Sequence, residues 1–496
     1  MPDKLSLSRA ARLAGVSRGD LQSRLKKLGL EMFEGKISVA NLVEAYPKID
    51  IDADPTLERL ALIREEAFSK RGRKDTALPD AEILMARLQD FQTVLTRTKA
   101  SLNLAEQLVH ELNDGLREAL AGNSEDLRER VAELQRRLER GLKSKPPAGD
   151  REAALYAKDA LLSLMSANVR LLPSGNEFFV SGQDSILEGA LKAGLHMDYG
   201  CASGNCGKCR IRVVAGRVKQ VRDYDFVFSV RDREDGCVLA CSYAPVTDLL
   251  AEAREASKPA DLPQQQIRVV VRKQIPLDEQ RWLVEVQTPR TKTLRFMAGQ
   301  RVSLTNEDDV SVTLPIASCP CDSRNLQFVV RRDARLPLIS EDAVEDKATL
   351  KIEGPHGDFL LHEESNRPII FVSFGDGIGP IKSLLEHSIA IDKAVTIHLF
   401  RLDSIPPGSH LGNLCRSWDD ALDNFTYVQL PAGMRAARLM DELQQRFSSL
   451  GECRLYVAGP AAQVDCLRAE LTSRGISPER IRFDIVEPVR SDSTTG

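Results

Sequence analysis

The stretch "YGCASGNCGKCR", Tyr199–Arg210, holds three cysteines within nine residues, Cys201, Cys206 and Cys209. Their spacing is Cys-x4-Cys-x2-Cys, and "GCVLACSYAP" brings Cys237 and Cys241 further along the chain. A [2Fe–2S] cluster needs four thiolates, and one tight loop supplies three of them if its backbone wraps closely. Gly200, Gly204 and Gly207 allow that wrapping and leave amides free to point at sulfur. The fourth ligand must then come from elsewhere. Structural zinc is the competing reading, but it usually takes paired Cys-x2–4-Cys elements without a glycine-dense three-thiol loop. A disulfide framework belongs to oxidising compartments.

Working outward, 496 residues exceed one compact core and suit three or four domains. The hydrophobic fraction of 42% and charged fraction of 28% are those of globular domains. A net charge of −4 gives no global attraction to nucleic acid or anionic membrane. The sequence contains no apolar run of the ~18 residues that a membrane span needs. "MPDKLSLSRAARLAG" lacks the apolar core of a signal peptide. The expected location is the cytoplasm, where the ten cysteines stay reduced unless they bind metal or do redox work.

The first thirty residues carry seven Lys or Arg and two Asp. "SLSRAARLAGVSRGDLQSRLKKLGL" has the apolar spacing of two short helices broken at Gly15-Val16-Ser17, with Ser17 as an N-cap. This helix-turn-helix pattern puts Arg18, Arg24, Lys26 and Lys27 on or near the second helix. They are the candidate nucleic-acid contacts, and a small docking module is the alternative. "KRGRK" at Lys70–Lys74 reads as a solvated linker. From Leu84 through Leu88, Phe91, Leu95, Thr98 and Leu102 to Ala119, apolar residues recur at alternating steps of four and three, a heptad seam. Gly122-Asn123-Ser124 interrupts it, and Leu127, Val131, Leu134 and Leu138 restart it before "KSKPPAGD" ends the helical half. Such a seam predicts pairing with another helix and a homodimer.

"VRLLPSGNEFFV" reads as two strands around a turn, and "SILEGALKAGL" as a short amphipathic helix leading into the cysteine loop. Beyond "AEAREASKPADLPQQQ", which has the composition of a linker, "IRVVVRKQI", "RWLVEVQT", "QRVSLT" and "LQFVVRRD" predict a small antiparallel barrel. From Pro368 the texture becomes βαβ. "RPIIFVSFGDGIGPIKSLLEHS" is a strand, a glycine turn and a helix, and "AVTIHLFR", "FTYVQL" and "RLYVAGP" are further strands of a parallel sheet. Gly375, Gly377 and Gly379 fall where a strand meets a helix, a place suited to a pyrophosphate.

"YGCASGNCGKC" with "LACSYAP" resembles the plant-type ferredoxin domain over residues 167–250. That resemblance implies Cys201, Cys206, Cys209 and Cys241 as the metal ligands and leaves Cys237 as a buried small residue. The order ferredoxin, barrel, βαβ sheet resembles the ferredoxin–NAD(P) reductase superfamily, as in the fused reductase components of oxygenases. "GPHGDF", "GDGIGP" and "YVAGP" match its motifs, and Arg401 matches a basic position after its second sheet strand. The resemblance implies cofactor-binding positions at Ser318, Gly375, Gly377, Gly379, Pro380, Gly459 and Pro460. It departs at "VTLPIAS". Val312 stands for the phosphate-pairing Arg, Leu314 for the Tyr that flanks the flavin, and Pro315 for Ser. Asp376 stands for a common Thr in the glycine turn, and Ala458 for a common Cys.

The expected fold class is multidomain α+β and α/β. A helix-turn-helix-like domain over 1–50, a linker over 51–80 and a coiled-coil region over 81–166 precede a β-grasp ferredoxin over 167–250. A linker over 251–265, a flavin-type antiparallel barrel over 266–365, an NAD(P)-type parallel sheet over 366–490 and a tail over 491–496 follow. The expected function is electron transfer from NADH or NADPH through FAD and a [2Fe–2S] cluster to a redox partner protein or oxygenase. The alternative is a dimeric redox-responsive regulator or adaptor that senses through the cluster and keeps the reductase fold as scaffold.

Overall fold

The structure, a computed structural model, describes residues 4–30, 36–47, 83–95 and 165–487, less scattered short stretches inside those spans. Ser17, "KRGRK", the heptad seam beyond Leu95 and "KSKPPAGD" lie outside the described residues. Among the described residues no helix is long and apolar enough to cross a membrane.

At the N-terminus, β1 (Lys4–Ser6) leads into α1 (Leu7–Ala14), α2 (Arg18–Lys27), β2 (Lys36–Ser38) and α3 (Val39–Ala45). Ser6 caps α1 by accepting from the Arg9 amide, and Gly15, at φ 68°, ends it in the left-handed conformation. The antiparallel β1–β2 pair closes over a core of Leu5, Leu13, Leu21, Leu25, Ile37 and Leu42. Residues 83–93 are helical. Ile83 and Arg87 are buried, and Arg87 donates to the Pro245 carbonyl at 2.9 Å, while Leu88 and Leu95 of the heptad seam stay exposed.

The next unit contains β3 (Ser166–Leu172), β4 (Glu177–Ser181), α4 (Ile186–Lys192), β5 (Arg210–Ala215), β6 (Val218–Gln220), α5 (Val230–Glu234), β7 (Cys237–Leu239), β8 (Tyr243–Pro245) and β9 (Leu249–Glu252). Its five-stranded sheet has the order β4-β3-β9-β5-β7, with β6 and β8 as a separate pair. Ser185 and Glu188 form a reciprocal capping box at the start of α4, which packs Ile186, Leu187 and Ala190 onto Val169, Phe178 and Val180.

Residues 251–265 carry more structure than a linker. β9 runs to Glu252 between β3 and β5, Met197 bridges to Glu255, and a 3-10 turn covers Pro259–Asp261. Polar composition concealed this because alternate residues, Leu249 and Ala251, point into the core.

β10 (Gln265–Pro276), β11 (Arg281–Gln287), β12 (Arg301–Thr305), β13 (Ser311–Pro315), β14 (Asn325–Arg331) and β15 (Thr349–His356) make a six-stranded antiparallel sheet in the order β13-β12-β15-β10-β11-β14. It curls around Val269, Val284, Phe296, Val302, Phe328 and Ile352. β16 (Ile369–Phe374), α6 (Ile378–Ile391), β17 (Ile397–Leu402), α7 (His410–Ala421), β18 (Phe425–Leu430), α8 (Ala436–Arg446), β19 (Arg454–Gly459), α9 (Ala461–Ser473) and β20 (Ile481–Ile485) complete the described chain. All their strand pairs are parallel, in the order β18-β17-β16-β19-β20. Chain order reverses beside β16, so the carboxyl end of β16 is a topological switch point, where such sheets open a crevice.

Candidate functional site

The cysteine loop joins α4 to β5. Ala202, Gly204 and Gly207 all have positive φ, at 52°, 86° and 70°, so the backbone coils tightly. A Cβ at Gly207 would fall 2.1 Å from the Phe226 ring, and one at Gly204 would fall 2.5 Å from Tyr224 Cβ. The coil turns amides onto sulfur. Cys201 N donates to Cys206 Sγ, and Ser203 N and Asn205 N donate to Cys201 Sγ, all at 3.4 Å. Cys241 reaches the loop because the Ala240 amide donates to the Cys209 carbonyl, which sets Cys209 Sγ 3.3 Å from Cys241 Sγ. Burial raises the Cys201 thiol, but hydrogen bonds from Ser203, Asn205 and Cys206 outweigh it and bring it down to about 7. The bond from Cys209, against burial and helped by Ser242 and Gly204, brings Cys241 down to about 6. The Cys209 thiol, the donor in that bond, is pushed up correspondingly. Amides aimed at sulfur and lowered thiols favour the thiolate, the form that binds metal. Among the described residues no three ligating side chains converge on a single-ion site. The four sulfurs instead form two neighbouring pairs, a donor set that fits a two-iron cluster. Cys237 pairs across β7 to Arg212 on β5, with Asp232 and Arg210 as its strongest electrostatic neighbours.

Cys206 is the exposed member of the four. The opposite side of the loop backs onto the barrel, where Thr293 Oγ1 donates to the Gly200 carbonyl at 3.2 Å and Arg295 pairs with Asp198 at 2.6 Å. The sequence offered no signal for this contact, since the partners lie about a hundred residues apart.

At the switch point, a 3-10 turn over Gly375–Gly377 runs directly into α6. A Cβ on Gly377 would meet the Ala458 carbonyl at 2.1 Å, and one on Gly459 would meet Phe374 Cβ at 2.6 Å, so these two glycines let the β16 and β19 turns touch. Gly375 has φ 52°, and a Cβ on the buried Gly379 would make ordinary contact with Val329 at 3.7 Å. Pro380 lies buried within α6, while Pro460 is the N-cap position of α9. The buried polar atoms without a hydrogen-bond partner at this end of the sheet include Ser373 Oγ and Asp484 Oδ2. Their strands meet through Ala458, which registers with Ser373 on one side and Asp484 on the other. Orphaned polar atoms at the strands' carboxyl ends suit a polar ligand.

The charges around the glycine turn and the barrel motif differ from the expected pattern. Asp376 is buried and pairs with Arg281 Nη1 at 3.4 Å and with Arg331 Nε. Arg281 also pairs with Asp278. These two cations, from β11 and β14, face the glycine turn, and the chain's own carboxylates neutralise them. Val312 and Leu314 pack against the barrel core, and Pro315 pairs with Arg301 on β12. Ser318 is buried, its Oγ accepting from the Gln327 amide and its carbonyl from Ser383 Oγ. Arg401 is fully buried beside Asp403 and Tyr427, inside the sheet layer. The carboxyl end of the sheet thus leaves Ser373 Oγ and Asp484 Oδ2 unpartnered and lacks the arginine clamp that the resemblance implies for a flavin phosphate.

Of the candidate nucleic-acid contacts, Arg18 donates to the Ile391 carbonyl at 2.7 Å and to Ser8 Oγ at 3.1 Å, and Arg24 lies over the Tyr46 ring. Lys26 and Lys27 are exposed. Arg9 pairs with Asp248, and Arg12 lies over Phe179 and donates to Ser166 Oγ. Three arginines of this unit thus bind the rest of the chain.

Residues 169–246 match the 2Fe-2S iron-sulfur cluster binding domain. The chain carries a [2Fe–2S] ferredoxin domain joined to a ferredoxin-reductase-like module. Protein RfbI of Salmonella typhimurium is 26% identical over 328 residues, covering 64% of this chain and 96% of its own. The ferredoxin–NAD(+) reductase component of an alkene monooxygenase system from Xanthobacter autotrophicus is 27% identical over 336 residues, covering 63% of this chain and 98% of its own. Among solved structures, the ferredoxin reductase of a carbazole 1,9a-dioxygenase aligns at 21% identity over 64% of this chain and 98% of its own, with a TM-score of 0.38.

Proposed function

We propose that the chain is an iron–sulfur electron-transfer oxidoreductase, passing electrons from NADH or NADPH through a flavin and a [2Fe–2S] cluster to a partner redox protein or oxygenase component. The observation that carries this reading is the cluster loop, backed against the barrel at Gly200 and Asp198 while Cys206 faces outward. Cys201, Cys206, Cys209 and Cys241 would hold the cluster, with loop amides compensating its negative charge. A flavin in the reductase-like module would convert a hydride's electron pair into the single electrons that the cluster accepts. The relatives support this: two are named as a ferredoxin–NAD(+) reductase component of a monooxygenase and as a terephthalate 1,2-dioxygenase reductase component. The exposed seam residues Leu88 and Leu95 support a homodimer through the helical region. The intramolecular work of Arg9, Arg12 and Arg18 supports docking over DNA contact.

A second reading, a redox-responsive regulator or adaptor, has one observation in its favour: Asp376 already neutralises Arg281 and Arg331 where a nucleotide phosphate would need them. Anaerobic purification with iron, sulfide and flavin assays separates the two. Two irons, two sulfides and about one flavin per chain are expected. Cys241→Ser should lose the cluster absorption and Cys237→Ser should keep it. A full cluster without flavin, even after added FAD, would favour the regulator; loss of the cluster in Cys237→Ser alone would overturn the ligand set.

A further inference from the structure

Away from the cluster, "CPC" at Cys319-Pro320-Cys321 follows the barrel strand β13, and a 3-10 turn over Pro320–Asp322 folds it back. Cys319 is buried and Cys321 half-buried. The Cys321 amide donates to Cys319 Sγ at 3.4 Å, and the Asp322 amide donates to the Cys319 carbonyl at 3.1 Å. Residues two apart in such a turn fall within the roughly 4.4–6.8 Å Cα separation of disulfides.

α6 completes the surroundings. The Cys319 amide donates to Glu386 Oε2 at 2.9 Å, and Glu386 is ion-paired with Lys382. His387, the next residue, is buried and acts to lower the Cys319 thiol. Its ring lies 5.4 Å from that of His196, five residues before the first cluster cysteine. The charged and titratable groups facing the pair are thus Cys321, Asp322, Lys382, Glu386, His387 and, from the ferredoxin domain, His196. Burial raises the Cys319 thiol, but Cys321 and His387 outweigh it and hold it at about 7, while burial pushes Cys321 up. This is one nucleophilic sulfur with a base on one side and a second thiol on the other.

We propose that Cys319 and Cys321 form a reversible two-electron thiol site at the junction of the ferredoxin domain and the reductase-like module, oxidised to a disulfide by hydrogen peroxide. The Cys319 thiolate attacks one peroxide oxygen, forming an S–O bond as the O–O bond breaks. The departing hydroxide takes up, by way of the His387 ring, the proton that the Cys319 thiol released on ionising, and leaves as water. Cys321 sulfur then attacks the Cys319 sulfenic acid. The S–S bond forms, the S–O bond breaks, and the second hydroxide leaves as water with the Cys321 proton. Two thiols lose two electrons, and one peroxide becomes two waters. The site does not depend on whether a flavin binds.

The tryptic peptide Val302–Arg324 contains these two cysteines and no other. The full chain is treated with hydrogen peroxide in the presence of a chelator, denatured, capped with N-ethylmaleimide and mapped by mass spectrometry. The expected peptide carries no maleimide and is lighter than the dithiol by two hydrogens, and dithiothreitol before capping restores two maleimides. Cys321→Ser should stop at a sulfenic acid trapped by dimedone. His387→Gln should slow disulfide formation about tenfold at pH 7 and regain the rate at pH 9. A peptide that still carries two maleimides after the exposed Cys466 has oxidised would overturn the proposal. So would over-oxidation of Cys319 without an S–S bond.

Discussion

Asp484 on β20 pairs with Arg301 on β12, yet burial outweighs that partner, and with Asp358 nearby the carboxyl is pushed from 3.8 up to about 6. A folded-state value above the unfolded one means that the folded chain holds the proton longer. The stability this group contributes is therefore full below about pH 4 and is lost as pH rises toward 6. A shift of that size corresponds to about 3 kcal/mol. Relative to Asp484→Asn, the wild-type chain should lose about 2–3 kcal/mol of unfolding free energy between pH 4 and 6.5 in urea titrations. Parallel pH profiles for the two proteins would contradict the assignment. This residue was not legible in the sequence, because its environment comes from a strand about 180 positions away. The cluster cysteines were legible, because three of them and their turn glycines are contiguous and spacing alone carries their chemistry.

The glycine turn shows the same division among elements. "GDGIGP" announced a strand-to-helix turn, and the turn leads from β16 into α6. What it could not announce were Arg281 and Arg331, which arrive from the ends of β11 and β14 through barrel pairing. Asp376 is the hinge of that network. Asp376→Asn should lower stability by about 1–3 kcal/mol, since Arg281 is buried and Arg331 partly solvated. The same change should tighten NADH or NADPH binding several-fold in a fluorescence titration, because it removes a negative charge from the turn. An unchanged affinity would mean that the pyrophosphate does not approach this turn. At the N-terminus Arg9, Arg12 and Arg18 bind Asp248, Ser166 and the Ile391 carbonyl, contacts that no helical periodicity encodes.

At the scale of the molecule, the order of textures along the chain gave the architecture: a small mixed sheet, a curled antiparallel sheet, then a parallel one. Their mutual placement was not legible, since it rests on single long-range contacts such as Arg295 with Asp198 and His387 with His196. That placement gives the electron-transfer reading its direction, with the loop backed by the barrel at Gly200 and opening outward at Cys206. The most direct measurement is electron paramagnetic resonance on the anaerobic, cofactor-loaded full chain, frozen after mixing with NADH or NADPH. The signal of a one-electron-reduced [2Fe–2S] cluster should appear within the turnover time of the enzyme, at close to one spin per chain, and should be absent in Cys241→Ser. A chain whose cluster is reduced by dithionite but stays silent with both nicotinamides and added FAD would contradict the reading.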